Sequence, residues 1–344
     1  MKSVGKKHAR TKCSSMTGVT RGPWAALIFC LCLVVALPGW AQQKGQYVPG
    51  QFGLNSGIVP DPGLTYVNLA LNYSADQLND QHGNAFPAVT GTYSFWVDEN
   101  IFMYVPKHKI LGGYYAPYIS VNAATGSLVA DFALLNGLNL NSVAGGSGLA
   151  DTWVEPLNLG WHLKRADLNI GYGFMAPTGR FEPGASDNVG SGYWGNNLTA
   201  GGTFYITKNK GTSANIYTDW EGHTRKHGTN ITPGQAFTLE WGLGQALPLK
   251  KDESIIGQLG FVGYDQWQVS DNAGTVGPIQ ASRIPHYSVH ALGVQANLIA
   301  PEKGFLAFFK YYGEYVANAR VQGRTIVFGF NYTFRIPKKA KASK

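Results

Sequence analysis

Alternation with a period of two governs most of this chain. In residues 326–334 the even positions are Ile326, Phe328, Phe330, Tyr332 and Phe334, while the odd positions after Val327 are Gly329, Asn331 and Thr333. Successive side chains of an extended strand point to opposite faces, so one face here is large and apolar and the other small and polar. The same reading fits Leu168, Ile170, Tyr172 and Phe174 against Asn169, Gly171 and Gly173. It fits Phe237, Leu239, Trp241 and Leu243 against Thr238, Glu240, Gly242 and Gly244, and Leu292, Val294, Ala296 and Leu298 against Gly293, Gln295 and Asn297. The fold class is therefore all-β.

A soluble sandwich alternates as well, but it packs its apolar face inward and carries Lys and Glu on the wet face. Here the second face is Gly, Asn and Thr, and only 14% of residues are charged, against about 25% in ordinary globular chains. Aromatic residues gather toward strand ends: Tyr66 and Tyr73, Trp153 and Trp161, Tyr311, Tyr312 and Tyr315. Interfacial girdles of a transmembrane barrel have that distribution. The expectation is a transmembrane antiparallel up-and-down β-barrel of the Gram-negative outer membrane, in contact with its lipid and lipopolysaccharide.

The formal charge of +8 does not describe this body. Lys2, Lys6, Lys7, Arg10, Lys12 and Arg21 stand in residues 1–41 without an acid, and Lys338, Lys339, Lys341 and Lys344 close the chain. Residues 42–337 hold 18 basic and 20 acidic residues. With no basic body to meet a phosphate backbone, nucleic-acid binding is set aside. Residues 1–41 run from positive charge through an apolar stretch, residues 24–37, to Gly39 and Ala41, the pattern of a cleavable signal peptide. Its 14 apolar residues fall short of the roughly 20 that a spanning helix needs. Cys13, Cys30 and Cys32 all lie within it, so the mature chain is expected to lack cysteine. An exported chain without disulfides must take its stability from a large core or a closed barrel.

Strands near 64–75, 88–106, 110–122, 151–163, 166–176, 193–207, 213–223, 234–247, 254–267, 286–299, 304–316 and 323–335 make twelve. Short connections (107–109, 164–167, 208–211, 249–253, 300–303) alternate with longer ones (76–87, 123–150, 177–192, 224–233, 268–285, 317–322), as periplasmic turns alternate with outer loops. A hairpin at 128–140, inside the expected loop 123–150, would raise the count to fourteen. The domain order is a signal peptide at 1–41, an irregular periplasmic or plug-like segment at 42–63, the barrel at 64–335 and a basic tail at 336–344.

Parity puts Glu155, Asp219, Glu221, Glu240, Lys310 and Glu314 on the lumen side, since lipid-facing charge costs roughly 2–4 kcal/mol near mid-membrane. They are candidates for a solute-selecting constriction, as charged rings select in other pores, or for ion-pair braces across a narrow lumen. Lys310 and Glu314 are too far apart on one strand to pair, which makes Glu240 the expected partner of Lys310. Asp151 and Arg180 fall at loop entrances. Neither His223 with His227 nor His286 with His290 has the Cys or acid cluster that completes a metal site, so no metal and no cofactor is expected. Ser288 stands between His286 and His290, but adjacent strand residues point apart. With no Gly-x-Ser-x-Gly motif, phosphate loop or nucleotide fingerprint, an enzyme is not expected.

Residues 148–162, GLADTWVEPLNLGWH, resemble a signature of the outer-membrane family labelled "putative MetA-pathway of phenol degradation". So do residues 176–181, APTGRF, followed by Asn188-Val189-Gly190 and Tyr193-Trp194. Further matches are Leu111-Gly112-Gly113, Gly263-Tyr264-Asp265-Gln266 and residues 310–315, KYYGEY. The family's Gly-x-Gly-Asp is here Gly-Leu-Ala-Asp, and a basic tail follows the last aromatic strand. The resemblance implies an outer-membrane channel associated with uptake of aromatic or other hydrophobic compounds, and the expectation is a monomeric channel for passive uptake of small hydrophobic or aromatic solutes, such as phenol-type compounds. The alternatives are a structural or adhesion barrel with a closed lumen and a membrane-embedded lipid hydrolase.

Overall fold

Hydrocarbon offers no hydrogen bonds, so every strand that crosses it must find a neighbour on both sides. The computed structural model, which describes residues 45–86, 89–133 and 139–335, meets this by closing a twelve-strand antiparallel ring. The expected signal peptide and the basic tail lie outside the described residues.

The ring starts with β1 (Gly63–Leu78) and β2 (Val89–Val105). A small hairpin, β3 (Lys109–Ile110) and β4 (Gly113–Tyr115), precedes β5 (Tyr118–Ala133). Next come β6 (Asn139–Leu149), β7 (Thr152–His162), β8 (Ala166–Ala176), β9 (Gly195–Tyr205) and β10 (Thr212–His223). After β11 (Ala236–Pro248) and β12 (Ile256–Gln268), the outer loop carries the two-residue strands β13 (Thr275–Val276) and β14 (Ile279–Gln280). Finally β15 (Ser288–Ala300), β16 (Phe305–Asn318) and β17 (Val321–Arg335) lead back to β1, with β17 paired from Gly63↔Arg335 to Leu78↔Val321.

The expected loop at 123–150 is a correction. β5 runs on to Ala133 and pairs with β6 from Ala123↔Leu149 to Ala133↔Asn139, and lower down with β7 at Tyr118↔Glu155 to Ser120↔Trp153. β6 and β7 thus form one interrupted strand against β5. Three steps along β5 face four along its partner at Ala150 and Asp151, a bulge of one extra residue. The hairpin therefore lengthens the ring wall instead of raising its count to fourteen. The strand expected at 110–122 is also divided: β4 pairs with β7 at Tyr114↔Gly160, and β5 begins after Pro117, which has no N–H to give to a ladder.

Side-chain parity matches the sequence reading on most strands. Leu198, Leu243, Leu259, Phe261, Leu292 and Phe328 are exposed on the outer face, while Asn197, Thr199, Asn215, Thr238, Gln258 and Gln295 are buried inside. Among the aromatics read as girdle, Tyr73, Trp153 and Tyr312 are buried at 4%, 7% and 0% exposure and face inward. The outer row near the turn side is instead Phe102, Tyr104, Tyr332 and Phe334. The β1–β2 hairpin reverses the rule. Its lumen face is Val67, Leu69, Leu71, Phe95 and Val97, and its outer face holds Asn68, Asp98 and Asn100. Asn68 Nδ2 donates to Asp98 Oδ1 at 2.7 Å, Asn100 Nδ2 to Asp98 Oδ2 at 3.2 Å, and Tyr66 OH to Asn100 Oδ1 at 2.6 Å.

Candidate functional site

A segment without ladder partners must satisfy its backbone elsewhere. Residues 45–62 do so inside the barrel, against side chains of β8–β12, β15 and β16. Gln46 N and Tyr47 N donate to Glu221 Oε2 at 2.9 and 3.2 Å. Glu240 accepts from Tyr47 OH at 2.5 Å, Gly50 N at 2.8 Å and Phe52 N at 2.9 Å. From the other side Lys310 Nζ donates to the carbonyls of Gly50, Gln51 and Phe52. Leu54 N bonds Gln295 Oε1 at 2.9 Å, Asn55 N bonds Asn215 Oδ1 at 2.9 Å, and Gly57 N bonds Thr203 Oγ1 at 3.1 Å. The Phe52 ring stacks on Tyr217 with centroids 3.7 Å apart. The sequence permits this path: Gly50 and Gly53 turn at φ of 101° and 106°, in the left-handed region where a side chain is strained.

The arrangement corrects the expected pairing of Lys310 with Glu240. The two clamp the backbone turn at residues 50–52 between them, each bonded to that turn. Glu314 is held apart from both, accepting from Tyr73 OH at 2.9 Å, Tyr264 OH at 3.1 Å and Gly323 N at 2.6 Å, and pairing with Arg320 at 3.3 Å. Glu155 accepts from Tyr118 OH at 2.7 Å and Asn158 Nδ2 at 2.9 Å. Asp219 takes Asn197 Nδ2 at 2.7 Å on one oxygen, and its Oδ2 is buried without a hydrogen-bond partner. Glu155, Asp219, Glu221 and Glu240 are all buried on the inner surface.

The loop-entrance candidates separate. Asp151, at the bulge, receives Gly179 N at 3.0 Å and Ser191 N at 2.8 Å, which ties the loop after β8 to the wall. Arg180 pairs with Asp187 within that loop at 3.1 Å, and both are more than half exposed. His286 and His290 bond Asp271 at 2.8 Å and Asp265 at 2.6 Å, and Asn318 Nδ2 donates to Ser288 Oγ. Among the described residues no three His, Cys, Asp or Glu side chains group as metal ligands.

Beside the lumen segment lies an open cavity of about 560 Å³, whose charged lining includes Glu155, Lys310 and Glu314. Val67, Leu69, Phe95, Val97, Ile101 and Met103 line it from β1 and β2, and Val48, Ile58 and Val59 border it from the lumen segment. Glu99, 7% exposed, is the carboxylate within this apolar face. The sequence reading missed both Glu99 and Arg320. Glu99 shares parity with Val97 and Ile101, which was the available signal. Arg320 stands in a two-residue connection, where parity says nothing.

A closed antiparallel ring with an apolar outer face and a lined interior defines an outer-membrane β-barrel. The chain belongs to the family described as "Putative MetA-pathway of phenol degradation", whose sequence profile matches residues 75–330. The COG4313 outer membrane channel from Pseudomonas putida F1 is similar in structure, with a TM-score of 0.67 and 11% identity over 83% of this chain and 100% of that one. At that identity the likeness is one of fold. The autotransporter AIDA-I transport unit from Escherichia coli follows at a TM-score of 0.47 and 10% identity, over 88% of this chain and 99% of that one. No curated protein matches by sequence.

Proposed function

We propose that this protein is a monomeric channel of the Gram-negative outer membrane for passive movement of small apolar or aromatic solutes. The observation that carries the reading is the cavity of about 560 Å³ with its wall of Val67, Leu69, Phe95, Val97, Ile101 and Met103. An apolar solute loses no hydrogen bonds by entering it and gains burial worth about 25 cal/mol per Å² of apolar surface. The family description and the channel-type relative in Pseudomonas putida support the same direction. Uptake is downhill and needs no cofactor.

In planar bilayers the purified barrel is expected to conduct ions, and a neutral monocyclic aromatic such as phenol is expected to reduce the current with dose. Val97→Asp, which sets a second carboxylate beside Glu99, should weaken that block at least several-fold. An assembled barrel that never conducts would favour the closed structural barrel, a reading that the occupied lumen also supports. Conduction without any block would remove the apolar solute class.

Export by the signal peptide makes a further expectation. The mature chain should begin near Gln42 and appear in the outer-membrane fraction as a heat-modifiable band. Retention of Met1 in the purified membrane form would count against it.

A further inference from the structure

The lumen segment has two chemically different sides. Its backbone is bonded to the acidic wall through Glu221, Glu240, Asn215, Gln295 and Lys310. Phe52 and Leu54 pack on that same wall, against Tyr217 and Val262, but the apolar side chains at either end turn the other way: Val48 packs against the cluster of Leu69, Leu71 and Val327, and Val59 against Val105 and Ala116. We propose that this segment determines the solute class of the channel. Docked, it covers the carboxylates of one wall and completes an apolar path along the other; displaced, it leaves a cation-selecting pore in the same barrel. The inference rests on the channel reading above and goes beyond it, since it assigns specificity to residues outside the ring.

Electrostatics gives the direction. Glu155, Asp219, Glu221 and Glu240 are buried on the inner surface, and Lys310 is the ammonium that joins Glu221 and Glu240 in holding the segment. With the segment in place, Oε2 of Glu221 and both oxygens of Glu240 accept from its N–H and O–H groups. Without it those oxygens face water, and a lumen lined by carboxylates admits cations over anions.

Shape agrees with this role. A Cβ on Gly57 would stand 2.1 Å from the carbonyl oxygen of Asp167 and 2.6 Å from Thr203 N, both fixed backbone. From the wall side, a Cβ on Gly201 would meet the Ser56 carbonyl at 2.3 Å, and one on Gly242 would meet Leu54 Cδ2 at 2.9 Å. At Gly201 and Gly242 the wall has no side chain where the segment lies against it. This is the fit of a docked element and not of a chain end lying loosely in a pore.

The full-length variant Gly57→Leu wedges the segment from the wall without changing any charge. The reversal potential is expected to move toward the cation limit, conductance to rise several-fold and block by phenol to weaken. Asn215→Ala with Gln295→Ala, also neutral, removes two acceptors for the segment and should act in the same direction if the first variant fails to assemble. Docking is read separately from a Leu54→Cys reporter, whose maleimide labelling should rise in either variant because Leu54 is 6% exposed when docked. Raised labelling with unchanged selectivity overturns the proposal. So does unchanged labelling in both variants, since the fit would then not be what holds the segment. A wild-type barrel that does not conduct would instead sink the channel reading on which the proposal rests.

Discussion

Arg320→Leu is expected to lower the stability of the folded barrel by about 3–5 kcal/mol, the usual loss when one member of a buried ion pair is removed. Arg320 Nη2 lies 3.3 Å from Glu314 Oε1, and the two side chains are 6% and 0% exposed. The carboxylate keeps Tyr73, Tyr264 and Gly323 N as donors, which places the expected loss toward the lower end. Glu314→Gln combined with Arg320→Leu should recover part of it, because no uncompensated charge is then left inside. Heat-modifiability midpoints in one detergent measure all three proteins. A single variant within about 1 kcal/mol of wild type, the range of an exposed pair, would mean that water reaches this site.

Phe328→Arg should remove roughly 2–4 kcal/mol if its ring faces mid-membrane lipid. Phe328 is 45% exposed on the outer face, while its neighbour Val327 is fully buried inside. Asn331 borders the cavity, so Asn331→Arg enters a wetted space and should cost far less. Equal loss of assembled protein in the two variants would mean the register of β17 is shifted by one residue, which exchanges the faces of the whole strand.

The ring was legible in the sequence where one period-two pattern ran unbroken between turn residues. Phe328, Phe330, Tyr332 and Phe334 announce β17 in this way, and Phe237, Leu239, Trp241 and Leu243 announce β11. Twelve strands followed from those patterns and from the alternation of short and long connections. The stretch 123–149 was misread because Gly126, Gly145, Gly146 and Gly148 blank out the alternation that would have marked its strands. The inward direction of Glu155, Asp219, Glu221, Glu240, Lys310 and Glu314 was also legible, since parity alone decides it.

Their partners were not legible. Glu240 and Lys310 bind the backbone of residues 50–52, some 190 and 260 positions away. A backbone N–H or C=O has the same appearance in every residue, so no side-chain pattern could reveal it. Glu314 meets Arg320 across a turn only six residues on, yet that turn breaks the parity by which strand residues were placed. Distance defeated the first inference and irregular backbone the second.

The reversed polarity of the first hairpin constrains the order in which the barrel can be immersed. Asn68 and Asp98 satisfy one another across two strands, at 2.7 Å. A lone β1 or β2 would therefore carry unanswered amide and carboxylate groups into oil at mid-strand, whereas the row Phe328, Phe330, Tyr332 and Phe334 of β17 carries none, its exposed Arg324 standing near the loop end of the strand. On this solvation argument the C-terminal strand is the cheaper pioneer and the N-terminal hairpin must zip before it sinks. The β1–β17 seam is then the suture that closes last, when the two ends of the sheet, 15 residue pairs long but for one bulge, finally meet.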